Sequence, residues 1–268
     1  LISGGGVAGL TAAAAFGAAG FGVICVDPAA PVTRADDQGS DLRTTAFLQP
    51  ARQLLADAGL WDRLAPHAAA LMTMRIVDAG GPDPEPRQIK DFIASEISDE
   101  PFGWNLPNWL LRREMLARLA ELPNVSFRPG LATRDVLTRE AAALVTLSDG
   151  QRIEARLLIA ADGRDSPVRQ ALGIPVKTTR YGQKALAFAV SHGKPHDNIS
   201  TEVHRTGGPF TLVPLPDTQG RPSSAVVWMA PGPEIADLAA LAIPEFQAAM
   251  DARSAGLYGP LTLISRRT

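Results

Sequence analysis

The sequence opens on a short apolar strand that runs straight into glycines. Leu1 to Ser3 is followed by Gly4-Gly5-Gly6-Val7-Ala8-Gly9, an alanine-rich stretch to Ala19, and a second apolar run from Phe21 to Val26 that ends at Asp27. Strand, turn, helix and strand in that order form the context in which a glycine triplet carries meaning. At this spacing Gly4 makes a tight turn, Gly6 lets backbone approach a pyrophosphate, and Gly9 lets the helix pack closely on the strand. The helix N-terminus adds unpaired N–H groups and the positive end of its dipole. Asp27 stands about 20 residues on, where an acid bonds ribose hydroxyls, so free hydroxyls (FAD or NAD) are favoured over the phosphorylated ribose of NADP. Gly4, Gly5, Gly6, Gly9 and Asp27 are the first set of expected cofactor contacts.

The rest of the chain must surround that unit. At 268 residues, 46% hydrophobic and 20% charged, it is long enough for one large or two moderate domains. A net charge of −2 leaves no basic face to attract nucleic acid or anionic lipid. The single cysteine, Cys25, lies inside the second apolar run and reads as a small core residue. With no disulfide framework, and with apolar stretches interrupted well short of the roughly 18 residues a membrane span needs, a cytoplasmic protein is expected. Both ends look cut: Leu1 starts in mid-strand without an initiator Met, and Leu261 to Thr268 runs out in an extended segment.

Pattern and punctuation predict the remaining elements. Residues 28–41 read as a loop and 50–64 as a helix, with Leu54, Leu55, Ala58 and Leu64 at helical spacing. Residues 78–87, with three prolines in ten positions, mark a hairpin or excursion. A helix over 109–122 precedes strands at 125–128, 142–147 and 152–160, the last two joined at Asp149-Gly150. Leu157 to Ala161 is a continuous apolar run of the kind a buried parallel strand shows. Further on come strands at 185–190, 200–205, 210–214 and 224–229, then one helix over 234–253. The fold class expected is α/β: a doubly wound, Rossmann-like nucleotide domain (1–76 and 104–178) with a mostly antiparallel sheet domain for substrate (77–103 and 179–268), its C-terminal part missing.

The run ending at Asp162-Gly163, followed by Ser166 and Arg169, resembles the second fingerprint of the FAD-dependent aromatic hydroxylases. In that family the Asp-Gly turn helps bind FAD and is implicated in NAD(P)H use. Two arginines extend the resemblance. Asp41-Leu42-Arg43-Thr44-Thr45-Ala46 looks like the family's loop beside the flavin ring, and Leu110-Leu111-Arg112-Arg113 looks like its Arg-containing helix start. The resemblance implies that Arg43 lies near the isoalloxazine and that Arg112, or its neighbour Arg113, reaches the FAD phosphates. Tyr181-Gly182-Gln183-Lys184-Ala185 and Phe210 to Pro216 look most like the ubiquinone-biosynthesis hydroxylases.

That resemblance implies reduction of FAD by NAD(P)H, activation of dioxygen on the reduced flavin, and hydroxylation of a phenolic ring. A polyprenylated ring would also require an apolar channel at the sheet domain and peripheral contact with the inner membrane, and association with a biosynthetic complex is a further expectation. Two rivals stay open: another flavin hydroxylase or reductase of the same fold, and a flavin-binding subunit without turnover. The family's third motif, a Gly-Asp pair near the flavin, does not occur before Thr268.

Other constellations point elsewhere. His192 and His196 are four apart, but Gly193 and Pro195 forbid the helix that would align them, so no metal site is expected. Ser166 lacks the Gly-x-Ser-x-Gly elbow of a nucleophile. Trp104, Trp109 and Trp228 read as core or interface residues rather than a stacking platform.

Overall fold

The structure, a computed structural model, describes residues 1–81 and 85–268. The chain begins β1 (Ile2–Ser3), α1 (Val7–Ala18), β2 (Val23–Asp27), β3 (Thr44–Leu48), α2 (Gln49–Asp57), α3 (Trp61–Leu64), β4 (Ala69–Leu71) and β5 (Thr73–Asp78). It continues through β6 (Gln88–Ile93), β7 (Gly103–Pro107), α4 (Asn108–Ala120), β8 (Val125–Pro129), β9 (Thr133–Thr138), β10 (Ala143–Leu147), β11 (Arg152–Ala155), β12 (Ile159–Ala160) and α5 (Pro167–Ala171). The last part comprises β13 (Gln183–His192), β14 (Ile199–Arg205), β15 (Gly208–Thr218), β16 (Arg221–Pro231), α6 (Gly232–Ala240), α7 (Ile243–Arg253) and β17 (Leu261–Leu263). These form two compact units: residues 1–41, 51–66 and 108–178, and residues 42–50, 67–107 and 179–268.

The first unit is built on a four-stranded parallel sheet in the order β12-β1-β2-β8. Parallel neighbours need crossovers, and α1 and α4 supply them. Alanine and glycine on α1 let it sit close to the sheet: Ala13, Ala14 and Gly17 are buried, and a Cβ at Gly17 would lie 2.4 Å from Val125 Cγ2. On α4 the buried Leu111, Met115 and Leu119 recur at the four-residue spacing of a packed helix face. An antiparallel meander, β9-β10-β11, buries Val145 and Leu147 against Val26. Its β10–β11 turn falls at Asp149-Gly150 as the sequence predicts, with Gly150 at φ 87°.

The second unit is a seven-stranded sheet, β17-β13-β16-β15-β14-β5-β6, together with a small antiparallel sheet, β3-β7-β4. Its core alternates along the strands, as a half-buried sheet requires. Phe188, Phe210 and Trp228 are buried against Phe246 of α7, with Phe188 and Phe246 ring centroids 5.1 Å apart in edge contact. The pairing of β5 with β6 makes the hairpin expected around 78–87, whose residues 82–84 lie outside those described. The first unit is the Rossmann-like nucleotide domain and the second the mostly antiparallel sheet domain that the sequence predicts. Among the described residues no helix is long and apolar enough to cross a membrane.

Four expectations change. The helix over 50–64 is two, α2 and α3, parted where Gly59 takes a φ of 70°. The helix over 234–253 is also two, because Pro244 has no N–H to continue α6 and instead stands in the first turn of α7. The apolar run 157–161 is not a buried strand: only Ile159–Ala160 pairs, at the edge of the parallel sheet, and Leu157 is 56% exposed. The division between domains shifts as well. Residues 42–50, 67–76 and 104–107, expected with the nucleotide unit, belong to the second, because β3, β4 and β7 pair with one another and β5 joins the large sheet. Trp228 is a core residue of that unit.

Candidate functional site

The carboxyl ends of β1, β2 and β12 converge on one edge of the parallel sheet, where ligands of such sheets gather. There the glycine loop turns from β1 into α1, and each glycine answers a different neighbour. Gly4 has a φ of 110°, and a Cβ on it would stand 2.2 Å from the Ala161 carbonyl oxygen. A Cβ on Gly5 would meet Asp27 and Phe127 at 2.9 Å, and one on Gly9 would lie 1.8 Å from the Gly4 carbonyl oxygen. Gly6 alone faces open space, with nothing within 4 Å of where its Cβ would be. It is also the N-cap of α1 and supplies no side-chain acceptor, so the first N–H groups of the helix are left for a ligand.

Asp27 ends β2 beside this loop. One carboxylate oxygen accepts the Gly5 N–H at 2.6 Å and the other the Ala29 N–H at 2.9 Å. A carboxylate has about four acceptor positions, so each oxygen keeps one for a further donor.

The second turn, after β12, is held by side chains. Asp162 accepts the Ser166 hydroxyl on one oxygen and the Val168 N–H, at 3.1 Å, on the other. Ser166 in turn caps α5, accepting the Arg169 N–H at 3.0 Å, and Gly163 takes a φ of 91°. Arg169 donates to the Arg164 carbonyl at 2.7 Å.

Both turns line a cavity of about 280 Å³ with Ser3, Gly4, Gly6, Asp27, Thr133 and Asp162 on its walls. Ligand pockets run from about 300 to 1,000 Å³, so this one suits a pyrophosphate and a ribose rather than a whole dinucleotide. The Thr133 hydroxyl is buried there without a partner. Sequence reading missed Thr133 because β9 was not foreseen as a strand, and a lone threonine gives no signal. A larger cavity of about 540 Å³ lies around Leu1, Phe16, Phe21 and Leu157 at the opposite edge of the sheet. It is away from the loop N–H groups and the two carboxylates, so the smaller cavity is the chemically equipped one.

The two arginines separate. Arg112 is on α4, whose chain direction matches that of α1, since each helix feeds a strand of one parallel sheet. Thr11 meets Met115 across the pair, so Arg112, one turn earlier, comes to the end where α1 begins. It lies 3.5 Å from Asp41, to which Asn108 also donates at 3.0 Å, and its Nε is buried without a partner. Arg113 instead faces out, bonded to Glu114 at 2.8 Å and stacked 5.5 Å from the Trp109 ring. Arg43 is exposed in the second unit, just before β3, and not in the unit carrying the glycine loop.

His192 and Cys25 are packed inside the protein. His192, 3% exposed, bonds the Lys194 carbonyl at 2.7 Å and the Ser224 hydroxyl at 3.0 Å, and burial holds its pKa below the ordinary imidazole value. Burial pushes the Cys25 thiol up to about 12, which suits a core residue and not a nucleophile.

Comparison with known proteins shows which family the chain belongs to. The chain is 34% identical over 254 residues to ubiquinone hydroxylase UbiL of Rhodospirillum rubrum, covering 94% of this chain and 56% of that protein. It is 26% identical over 227 residues to 3-demethoxyubiquinol 3-hydroxylase of Escherichia coli, covering 85% and 56%. The chain thus spans about half the length of the curated relatives it matches. Among solved structures, PqsL of Pseudomonas aeruginosa superposes with a TM-score of 0.74 at 21% identity, over 98% of this chain and 71% of that one. The family model described as FAD binding domain matches residues 1–237, and the chain belongs to that family.

Proposed function

We propose that the protein to which this chain belongs is an FAD-dependent monooxygenase that hydroxylates the aromatic ring of a ubiquinone precursor, with NAD(P)H as reductant. The observation that carries this reading is the cavity at the glycine loop. It joins an uncapped helix N-terminus, an open face at Gly6 and an unpartnered Thr133 hydroxyl in a chain whose curated relatives include ubiquinone hydroxylases.

In this reading the pyrophosphate of FAD meets the first N–H groups of α1, and the buried Nε of Arg112 supplies a further donor from the same end of α4. Asp27 and Asp162 both carry negative charge into the cavity, which disfavours direct contact with phosphate and suits hydroxyl donors. Asp27 receives the ribose hydroxyls, and Asp162 is the acceptor for a flavin-side hydroxyl. Arg43 is the residue that the family resemblance assigns to the flavin ring. When bound, the flavin supplies the redox chemistry, while the protein orients the ring to be hydroxylated and excludes water. Such a substrate is lipophilic, so the protein works against a membrane surface.

The test uses the full-length protein. After reconstitution with FAD, NAD(P)H oxidation is followed with a demethoxylated or demethylated quinol precursor under labelled dioxygen. The expected result is a bound, heat-releasable FAD and one labelled oxygen atom in the product. Reduction of the substrate without oxygen incorporation would replace the hydroxylase by a reductase, and failure to retain FAD would remove the assignment altogether.

A further inference from the structure

A second polar cavity, of about 260 Å³, opens at the end of the seven-stranded sheet where β14 turns into β15, and its walls are Gly80, Gly81, Arg205, Thr206, Glu234 and Arg253. Arg253, the last residue of α7, is only 8% exposed. One of its terminal nitrogens donates to the Gly208 carbonyl and closes the turn. The other, Nη1, is buried with no partner. A charged donor taken out of water in that way loses its hydration without recovering it, so a turn cap alone does not account for the arrangement.

The surroundings leave this corner positive. Burial and the nearby Arg205 guanidinium bring Arg253 down to about 10, with Glu234 opposing them. Two cations pressed together destabilise each other until an anion joins them. Glu234 sits exposed on the rim, and among the described residues no ion pair links it to either arginine. Next to it α6 starts at Gly232 with no side chain capping its first N–H groups, which adds the positive end of a nine-residue helix. Gly80 and Gly81 add no side chain of their own to the wall, and the Asp78 carboxylate accepts the Gly80 N–H at 2.9 Å.

We propose that this cavity is a phosphate site, in which Arg253 Nη1 and Arg205 hold the oxygens of a phosphate group and Glu234 sets a limit on its affinity. The phosphate belongs either to a small soluble ester or to a phospholipid headgroup. Arginine suits both, because its planar fork of donors matches phosphate oxygens. The site lies wholly within the second unit and makes no use of the glycine loop.

Calorimetric titration of inorganic phosphate into the full-length, FAD-saturated protein at constant ionic strength tests the assignment. Saturable binding is expected, weakened about tenfold or more by Arg205→Gln and by Arg253→Gln, because each removes a charge-assisted contact. Glu234→Gln should tighten it, since a competing negative charge is removed. If Arg253→Gln fails to fold, the exposed Glu234 and half-buried Arg205 variants carry the test. Co-sedimentation with vesicles of equal parts phosphatidylcholine and phosphatidylglycerol separates the two sources. Arginine-dependent pelleting identifies a lipid headgroup, and phosphate binding without pelleting identifies a soluble ester. Absence of both, or phosphate binding unchanged by Arg205→Gln and Glu234→Gln together, would reduce Arg253 to a turn cap and overturn the proposal.

Discussion

The two turns that line the cavity at the glycine loop are built by opposite means. The glycine loop works by the absence of side chains: a Cβ at Gly4 or Gly9 would run into backbone oxygen at 2.2 or 1.8 Å. The turn after β12 works by their presence, because Asp162, Ser166 and the N–H groups of Val168 and Arg169 form one closed hydrogen-bonded cap. A loop built on close approach tolerates almost no substitution and leaves its N–H groups outward for a ligand. A loop built on side-chain bonds satisfies its own polar groups first, so the same residues serve as scaffold as well as contact. A sequence signature at the first kind of loop reports geometry directly. At the second kind it reports geometry and binding together.

The largest expected effect breaks the first loop outright. Gly9→Val should abolish FAD binding and lower unfolding free energy by about 3 kcal/mol, since backbone must move to admit the side chain. Fluorescence titration with FAD and urea denaturation measure both, and unchanged affinity would contradict the role given to this glycine. Gly6→Ala is the sharper probe, because its Cβ enters free space at a φ of −74° that alanine adopts readily. Stability should stay within about 0.5 kcal/mol of the parent while FAD affinity falls about tenfold or more. A Gly6 variant that binds FAD normally would move the pyrophosphate away from the loop.

Asp162→Ala and Ser166→Ala divide scaffold from contact in the second turn. Each removes part of the cap and should cost about 1 kcal/mol of stability. Only Asp162→Ala should also weaken FAD, or slow flavin reduction, by about tenfold. If both substitutions lower thermal stability alike and neither changes FAD affinity or stopped-flow reduction, the second turn is scaffold alone.

The smallest effect lies away from both turns and serves as their control. Burial holds the folded pKa of His192 below its unfolded value, so the unfolded chain binds the extra proton first. Its contribution to stability is therefore present above about pH 6.5 and is lost as pH falls through the lower folded value. Urea midpoints should decline from neutral pH toward pH about 5, and His192→Gln should flatten that decline without altering FAD affinity.

Much of this architecture was legible along the chain. Gly4, Gly6, Gly9 and Asp27 identify a strand-turn-helix-strand unit because the steric demands of that turn are local and few residue types meet them. The Asp149-Gly150 turn and the four long strands from 183 to 231 follow from period-two alternation and turn chemistry in the same way. Breaks in helices were harder. The split before Pro244 is explained by proline's missing N–H, yet apolar residues at helical spacing continue across it and mask the interruption.

What the chain itself determined is the set of backbone shapes: where glycine must stand, where a strand ends in an acid, which runs alternate. What only the tertiary structure decided is company. Among the described residues the apolar run at 157–161 stands at a sheet edge because β12 pairs with β1 alone, and residues 42–50 joined the second unit because β3 found its partner in β7, about sixty residues away. Thr133 and Asp27 face one cavity, Arg112 is held against Asp41, and Arg205 and Arg253 line a second cavity. None of these pairings has a local signal, because hydrogen bonding and burial between residues far apart in sequence depend on sheet order and helix direction, which are settled only when the whole chain packs.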